Sequence, residues 1–168
     1  SGNFPKETKF QKEVCVRKLM ICRVLVLQGP YLFCLKDVII PPMIITYLGK
    51  EFFKIQQGDL VVACNPISKD SKEKQSRFGA RIALSTTNHP DYNGFENVTH
   101  GETKPLEISG PGDYEVEGIF VKGVMTDIEL GGKKYINTIY SLSIEGISVC
   151  FLGPLTQGKL SSETLNEI

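Results

Sequence analysis

From Met43 onward, glycines cut the chain into short runs of alternating apolar and polar residues, and this spacing constrains the fold more than any single motif. "KKYINTIYSLSIEGISVCFLG" is the clearest case: two alternating runs meet at Glu145-Gly146, the sequence form of a β-hairpin. "MIITYLG" and "EFFKIQQ" flank Gly49-Lys50, and "DLVVACNP" follows Gly58, which reads as the opening of a β-meander. "ARIALST" reads as a buried strand and "PLEIS" as a further one. "DYEVEGIFVKGVMTD" alternates around Gly118 and Gly123 as a hairpin with a kink does. Only "SSETLNEI" has helical character, with a serine available to cap it. A sheet built this way has two faces, and at least one needs a cover. Little in residues 43–168 supplies one, so "YINTIYSLSI" and "GISVCFLG" are expected to keep a wide apolar face open, and the fold is expected to be truncated at Ile168, in a helix that should cover the first sheet.

Residues 1–42 have a different character. They hold seven Lys/Arg against three Asp/Glu, whereas residues 43–168 hold twelve against sixteen. Their apolar residues follow no clean period, although "VCV" and "RVLVL" have strand composition, and the segment ends in Pro41-Pro42. The expected organisation is an N-terminal appendage over 1–42 and a domain over 43–168. The apolar stretch from Leu19 to Leu35 is interrupted by Arg23 and by Gln28-Gly29-Pro30, too soon for a membrane span, and no small-residue cleavage site follows it. A cytoplasmic protein without a membrane partner is expected. A formal net charge of zero and a pI near 6.7 argue against a nucleic-acid partner, which would need a basic face. "SKDSKEKQS" reads as a solvated loop.

Five cysteines, Cys15, Cys22, Cys34, Cys64 and Cys150, are odd in number and form no CxxC pair, so they read as reduced small hydrophobes. Cys64 and Cys150 fall inside apolar strands, where a thiol is inert. "GPGDYEVEG" does not fit a dinucleotide fingerprint, no phosphate-binding G-x-x-x-x-G-K-[ST] occurs, and Ser85-Thr86-Thr87 sits in no nucleophile elbow. The Asn97-Val98-Thr99 sequon stands without a secretion signal. The remaining chemistry lies in "ALSTTNHPDYNGFENV", where His89 and Asp91 fall two apart at the end of a strand. A catalytic zinc keeps about three protein ligands; the chain has two histidines, and His100 lies in a polar stretch with no strand end to aim it. The structural alternative is a shaped loop: Pro90 fixes the backbone, Asp91 accepts N–H bonds across the turn, and Asn93-Gly94 supplies positive φ.

In order, "MIITYLGKEFFKI", "LVVACNP", "ALSTTNHPDYNG", "SGPGDYEVEGIFVKGV" and "ISVCFLGPL" resemble the first part of the metallo-β-lactamase superfamily, nearest the small bacterial zinc-dependent hydrolases of the ascorbate-phosphate lactonase branch. The resemblance implies an α/β (α+β) fold, an αββα sandwich of mostly antiparallel strands represented here by its N-terminal portion. It also implies a binuclear zinc site, and the family's positions can be followed one by one. The His-x-His-x-Asp-His loop keeps its second histidine as His89 and its acid as Asp91, while its outer histidines become Thr87 and Tyr92. The Asp-Pro acid becomes Asn65. In the His-Leu-Gly-Asp motif the histidine becomes Phe151 and the metal-bridging acid becomes Pro154.

A lone imidazole and carboxylate cannot generate a metal hydroxide at neutral pH. The expected function is therefore a hydrolase-like protein with a degenerate metal site, His89 and Asp91 at most holding zinc weakly. Two rivals stand beside it: a metal-dependent hydrolase active in its full-length form, and an interaction module that self-associates through an uncovered sheet.

Overall fold

The computed structural model describes residues 41–102, 104–156 and 160–168 in full, and residues 13–16, 21–27 and 33–39 as strand backbone. Twelve strands are present among the described residues: β1 (Glu13–Val16), β2 (Ile21–Leu27), β3 (Phe33–Ile39), β4 (Met43–Gly49), β5 (Phe52–Gln57), β6 (Leu60–Cys64), β7 (Ile82–Leu84), β8 (Leu106–Ile108), β9 (Gly112–Val116), β10 (Ile119–Leu130), β11 (Lys133–Ile144) and β12 (Ile147–Phe151). A 3-10 turn covers Phe95–Val98, and one short helix, α1 (Ser162–Glu167), starts from Ser161, whose hydroxyl accepts the Thr164 N–H as expected of a cap.

Two sheets pack face to face. The first has the order β1-β4-β5-β6-β7-β8 and the second the order β12-β11-β10-β9. Strand pairing is antiparallel except between β6 and β7 and between β7 and β8. Parallel neighbours require long crossovers, and these are residues 65–81 and 85–105. Alternation along the strands sets the layers. Met43, Ile55, Val62, Cys64, Ile82, Leu84 and Ile108 point from the first sheet onto Ile119, Val121, Tyr140, Leu142 and Ile144 of the second. The other face of the first sheet carries Phe52 and Ala83, and the two crossovers lay Ile67, Phe78, Phe95 and Val98 over it.

The apolar face of β11 and β12 is therefore not open, as its sequence suggested. Leu142 and Ile144 are spent against the first sheet, and the exposed positions beside them carry Ser143, Ser148 and Cys150. Nor does α1 cover the first sheet. It lies beside β10 of the second, where Lys122 Nζ donates to the Glu167 carbonyl at 2.6 Å.

The hairpins follow the glycine punctuation. Glu117-Gly118, Gly131-Gly132 and Glu145-Gly146 all have two consecutive positive φ values, the two-residue turn that matches strand twist. Gly123 differs from expectation. The β10–β11 register runs through it without a shift, so there is no kink. Glycine is needed there because a Cβ would stand 2.9 Å from Thr138 Cγ2 and 3.1 Å from Tyr140 Cε1. In the N-terminal segment, β2 and β3 form a two-stranded sheet, and β1 pairs antiparallel with β4, so part of the expected appendage extends the first sheet. The Gln28-Gly29-Pro30 break and the remainder of 1–42 before Pro41 lie outside the described residues. Among the described residues, no helix is long and apolar enough to cross a membrane.

Tyr140 joins the layers. Its ring is fully buried in the inter-sheet core, and its hydroxyl lies 3.1 Å from the Ser85 carbonyl and 3.2 Å from the Gly110 carbonyl. Removing the hydroxyl strips a buried acceptor of its donor, so Tyr140→Phe should lower stability by roughly 1–3 kcal/mol. Urea unfolding measures this, and an unchanged midpoint would show that the ring alone suffices.

Candidate functional site

The loop bearing His89 and Asp91 begins where β7 leaves the first sheet. Ser85, Thr86 and Thr87 are all buried, and they cross from one sheet to the other. Ser85 N–H donates to the Ile108 carbonyl of β8 at 2.9 Å, and the next carbonyl, Thr86, accepts the Thr138 N–H of β11 at 2.8 Å. β12 stops opposite Tyr140, so the edge of β11 beyond it is free to take this segment.

Around the crossing lies a closed polar network. Asn65, with φ +52, accepts the Thr86 N–H at 2.8 Å and donates through Nδ2 to Thr86 Oγ1 at 3.0 Å. Thr87 Oγ1 lies 3.2 Å from the Ile136 carbonyl and 3.3 Å from Asn137 Oδ1. Fully buried Asn137 donates to Thr126 Oγ1 and to the Leu152 carbonyl, each at 3.1 Å. Gly153 closes the cluster. A Cβ there would stand 2.6 Å from Thr86 Oγ1 and 2.7 Å from Asn137 Oδ1.

His89 and Asp91 sit on the outer side of this network. Their side chains approach to 3.8 Å, Nδ1 to Oδ2. The turn is capped in the opposite sense to the one expected. His89 Nδ1 accepts the Asp91 N–H at 3.2 Å, while the Asp91 carboxylate turns away to Ser71 Oγ at 2.5 Å and Lys50 Nζ at 3.0 Å. Accepting through Nδ1 places the imidazole proton on Nε2. Partial burial pushes the Asp91 carboxyl up, but the Ser71 hydroxyl and the Lys50 ammonium outweigh it and hold the group below the usual carboxylate range. Asn93-Gly94 supplies no positive φ either: Gly94 has φ −80. Glycine is required because the 65–81 crossover passes so close that a Cβ would stand 2.2 Å from the Ile67 carbonyl carbon.

The other positions singled out in the sequence are scattered among the network, the core and the surface. Asn65 and Thr87 belong to the polar network. Tyr92 is buried beneath the loop, and burial, with the Glu51 charge nearby, pushes its hydroxyl up to about 12. Phe151 turns into the inter-sheet core and meets Phe53 edge-on at 5.7 Å. Pro154 is buried just beyond Gly153. His100 is exposed, with its side chain beside Gly79. Burial pushes the Cys64 thiol up to about 12, in keeping with an inert core residue. Cys150 is exposed instead, because it falls on the outward register of β12.

Sequence reasoning did not find Lys50, Ser71, Thr86, Asn137 or Gly153. They come from five different connections or strands, and no spacing along the chain links them. Among the described residues, no three His, Cys, Asp or Glu side chains gather closely enough to hold a metal ion. Beside the loop, a cavity of about 390 Å³ opens between the Ser109–Pro111 turn and the start of β11, with Thr86 and Asn88 among its lining residues.

The family model described as a beta-lactamase superfamily domain matches residues 44–168. A candidate Zn-dependent hydrolase of the metallo-beta-lactamase superfamily from Thermotoga maritima is 24% identical with a TM-score of 0.57, and the match covers 74% of this chain and 56% of that one. A candidate metal-dependent hydrolase from Parabacteroides distasonis is 15% identical with a TM-score of 0.51, over 67% of this chain and 60% of that one. At these identities the likeness is one of fold, and the chain spans less than two thirds of either structure's length. No curated protein matches.

Two outcomes test this geometry. Gly153→Ala forces a side chain into the polar network at φ +66. Overpacking of roughly 1–3 kcal/mol adds to a left-handed backbone penalty of roughly 1–2 kcal/mol, and thermal melting should register the loss. The second outcome concerns acid. The folded pKa of Asp91 is lowered, so its stabilisation is complete above the unfolded value of about 3.9 and is lost as pH falls through the folded one. Asp91→Asn should flatten that part of the acid-unfolding curve, and an unaltered curve would show the carboxylate to be unpaired in solution.

Proposed function

The chain belongs to the beta-lactamase superfamily over residues 44–168, and from that membership we propose that it is a hydrolase-like protein whose metal site is degenerate and does not perform binuclear zinc hydrolysis. The observation that carries this reading is the engagement of the two surviving donors with the protein itself. The Asp91 carboxylate faces an ammonium and a hydroxyl, and His89 spends Nδ1 on the turn. A zinc ion able to activate water keeps about three protein ligands and an open position, and this pair supplies two at most.

The surroundings agree with that reading. Asn65 and Thr87 stand where the family resemblance places an acid and a histidine, yet each is satisfied within the buried network. Gly153 leaves no room beside Thr86 and Asn137 for a larger group. The residues do not fit a zinc pair, so no reaction step is assigned to them.

A second reading, a metal-dependent hydrolase that is active in a longer form, draws on one observation. His89 and Asp91 both persist, 3.8 Å apart, at the strand end where the family resemblance puts its ligands. Elemental analysis separates the two readings. Protein purified without chelator should carry well under one zinc per chain, and about two tightly held metals would overturn the degenerate reading in favour of the second.

A further inference from the structure

We propose that Lys50 is a surface cation that clasps three separate loops together, holding the His89–Asp91 loop in shape without a metal ion. Its ammonium lies 3.0 Å from Asp91 Oδ2 and 3.2 Å from Glu73 Oε1. One side chain from the β4–β5 turn thus reaches both the 65–81 crossover and the loop after β7. Ser71 completes the link, donating to Asp91 Oδ1 at 2.5 Å and accepting the Glu73 N–H at 3.1 Å. Two backbone bonds run beneath the clasp: Ser68 N–H to the Pro90 carbonyl at 2.9 Å, and Gly94 N–H to the Pro66 carbonyl at 2.7 Å.

Charge placement supports the clasp. The carboxylates of Asp91 and Glu73 approach one ammonium from two loops, so without the cation the loops would present like charges to each other. The pairs are partly solvated, with Lys50 and Glu73 side chains 35% and 47% exposed. The clasp is accordingly a weak, reversible, salt-sensitive one.

This inference rests on the metal-poor reading of the site, and hydrogen exchange on the full chain tests the two separately. Amides of residues 68–75 and 88–94 are followed at low salt in EDTA for the unsubstituted chain, Lys50→Met and Lys50→Arg. Lys50→Met should speed their exchange by roughly three- to fivefold, the size expected for a partly exposed ion-pair network. Lys50→Arg should restore protection, high salt should reproduce much of the effect in the unsubstituted chain, and amides of β6 and β11 should be unchanged in all three. Equal protection in Lys50→Met, or acceleration spread evenly over the core strands, would overturn the clasp. The metal reading is judged on the unsubstituted chain alone. Loops equally protected with EDTA and with added zinc support it, whereas loops that open in EDTA and close with zinc overturn it.

Discussion

The hydrogen bond from the Thr138 N–H to the Thr86 carbonyl is the point on which the rest of the structure depends. It is where a segment leaving the first sheet becomes an edge of the second. On one side of it, Ser85 is still bonded to β8; on the other, Thr87 reaches the backbone of β11. A buried backbone that changes sheets must satisfy every polar group on the way. That demand accounts for the threonines and asparagines gathered there in an otherwise apolar interior. Their bonds are mutually supporting, since Asn65 both donates to and accepts from Thr86.

Close approach is the second constraint that follows. Gly94, Gly123 and Gly153 each stand where another part of the chain passes within contact of a missing Cβ. The glycines of the three two-residue turns do a different job, since there the backbone conformation itself calls for them. Gly153 combines both demands, and it sits over the polar network at the position where the chain leaves β12 for Pro154. The same geometry that seals the network keeps the His89–Asp91 loop on the solvent side of it. There the loop is shaped by a lysine, a serine and its own histidine rather than by the core.

The sheets also explain how a chain with one short helix among its described residues can bury so much apolar surface. Each sheet covers the inner face of the other, and the two crossovers flanking β7 cover the outer face of the first. Long connections used in this way are part of the core, and for that reason the otherwise polar 65–81 segment carries Ile67, Phe78 and Ala80 at buried or half-buried positions.

Much of this was legible in the sequence, for a local reason. Alternation with period two and paired turn residues are properties of a few consecutive amino acids, so the hairpins at Glu117-Gly118 and Glu145-Gly146, the strand before His89 and the Ser161-capped helix could all be read directly. The inert burial of Cys64 followed from the same alternation, which read with the right register would also have exposed Cys150. The family's order of motifs was likewise a sequence property, and it carried the fold. What the tertiary structure alone decided is which groups meet across loops. It set His89 against the Asp91 N–H, gave the Asp91 carboxylate to Lys50 and Ser71, and closed Asn65, Thr87 and Asn137 around Gly153. Apart from the local His89–Asp91 pair, these contacts join residues from 16 to 67 positions apart, and their partners are chosen by how the sheets and crossovers pack, a choice on which neither propensity nor spacing bears.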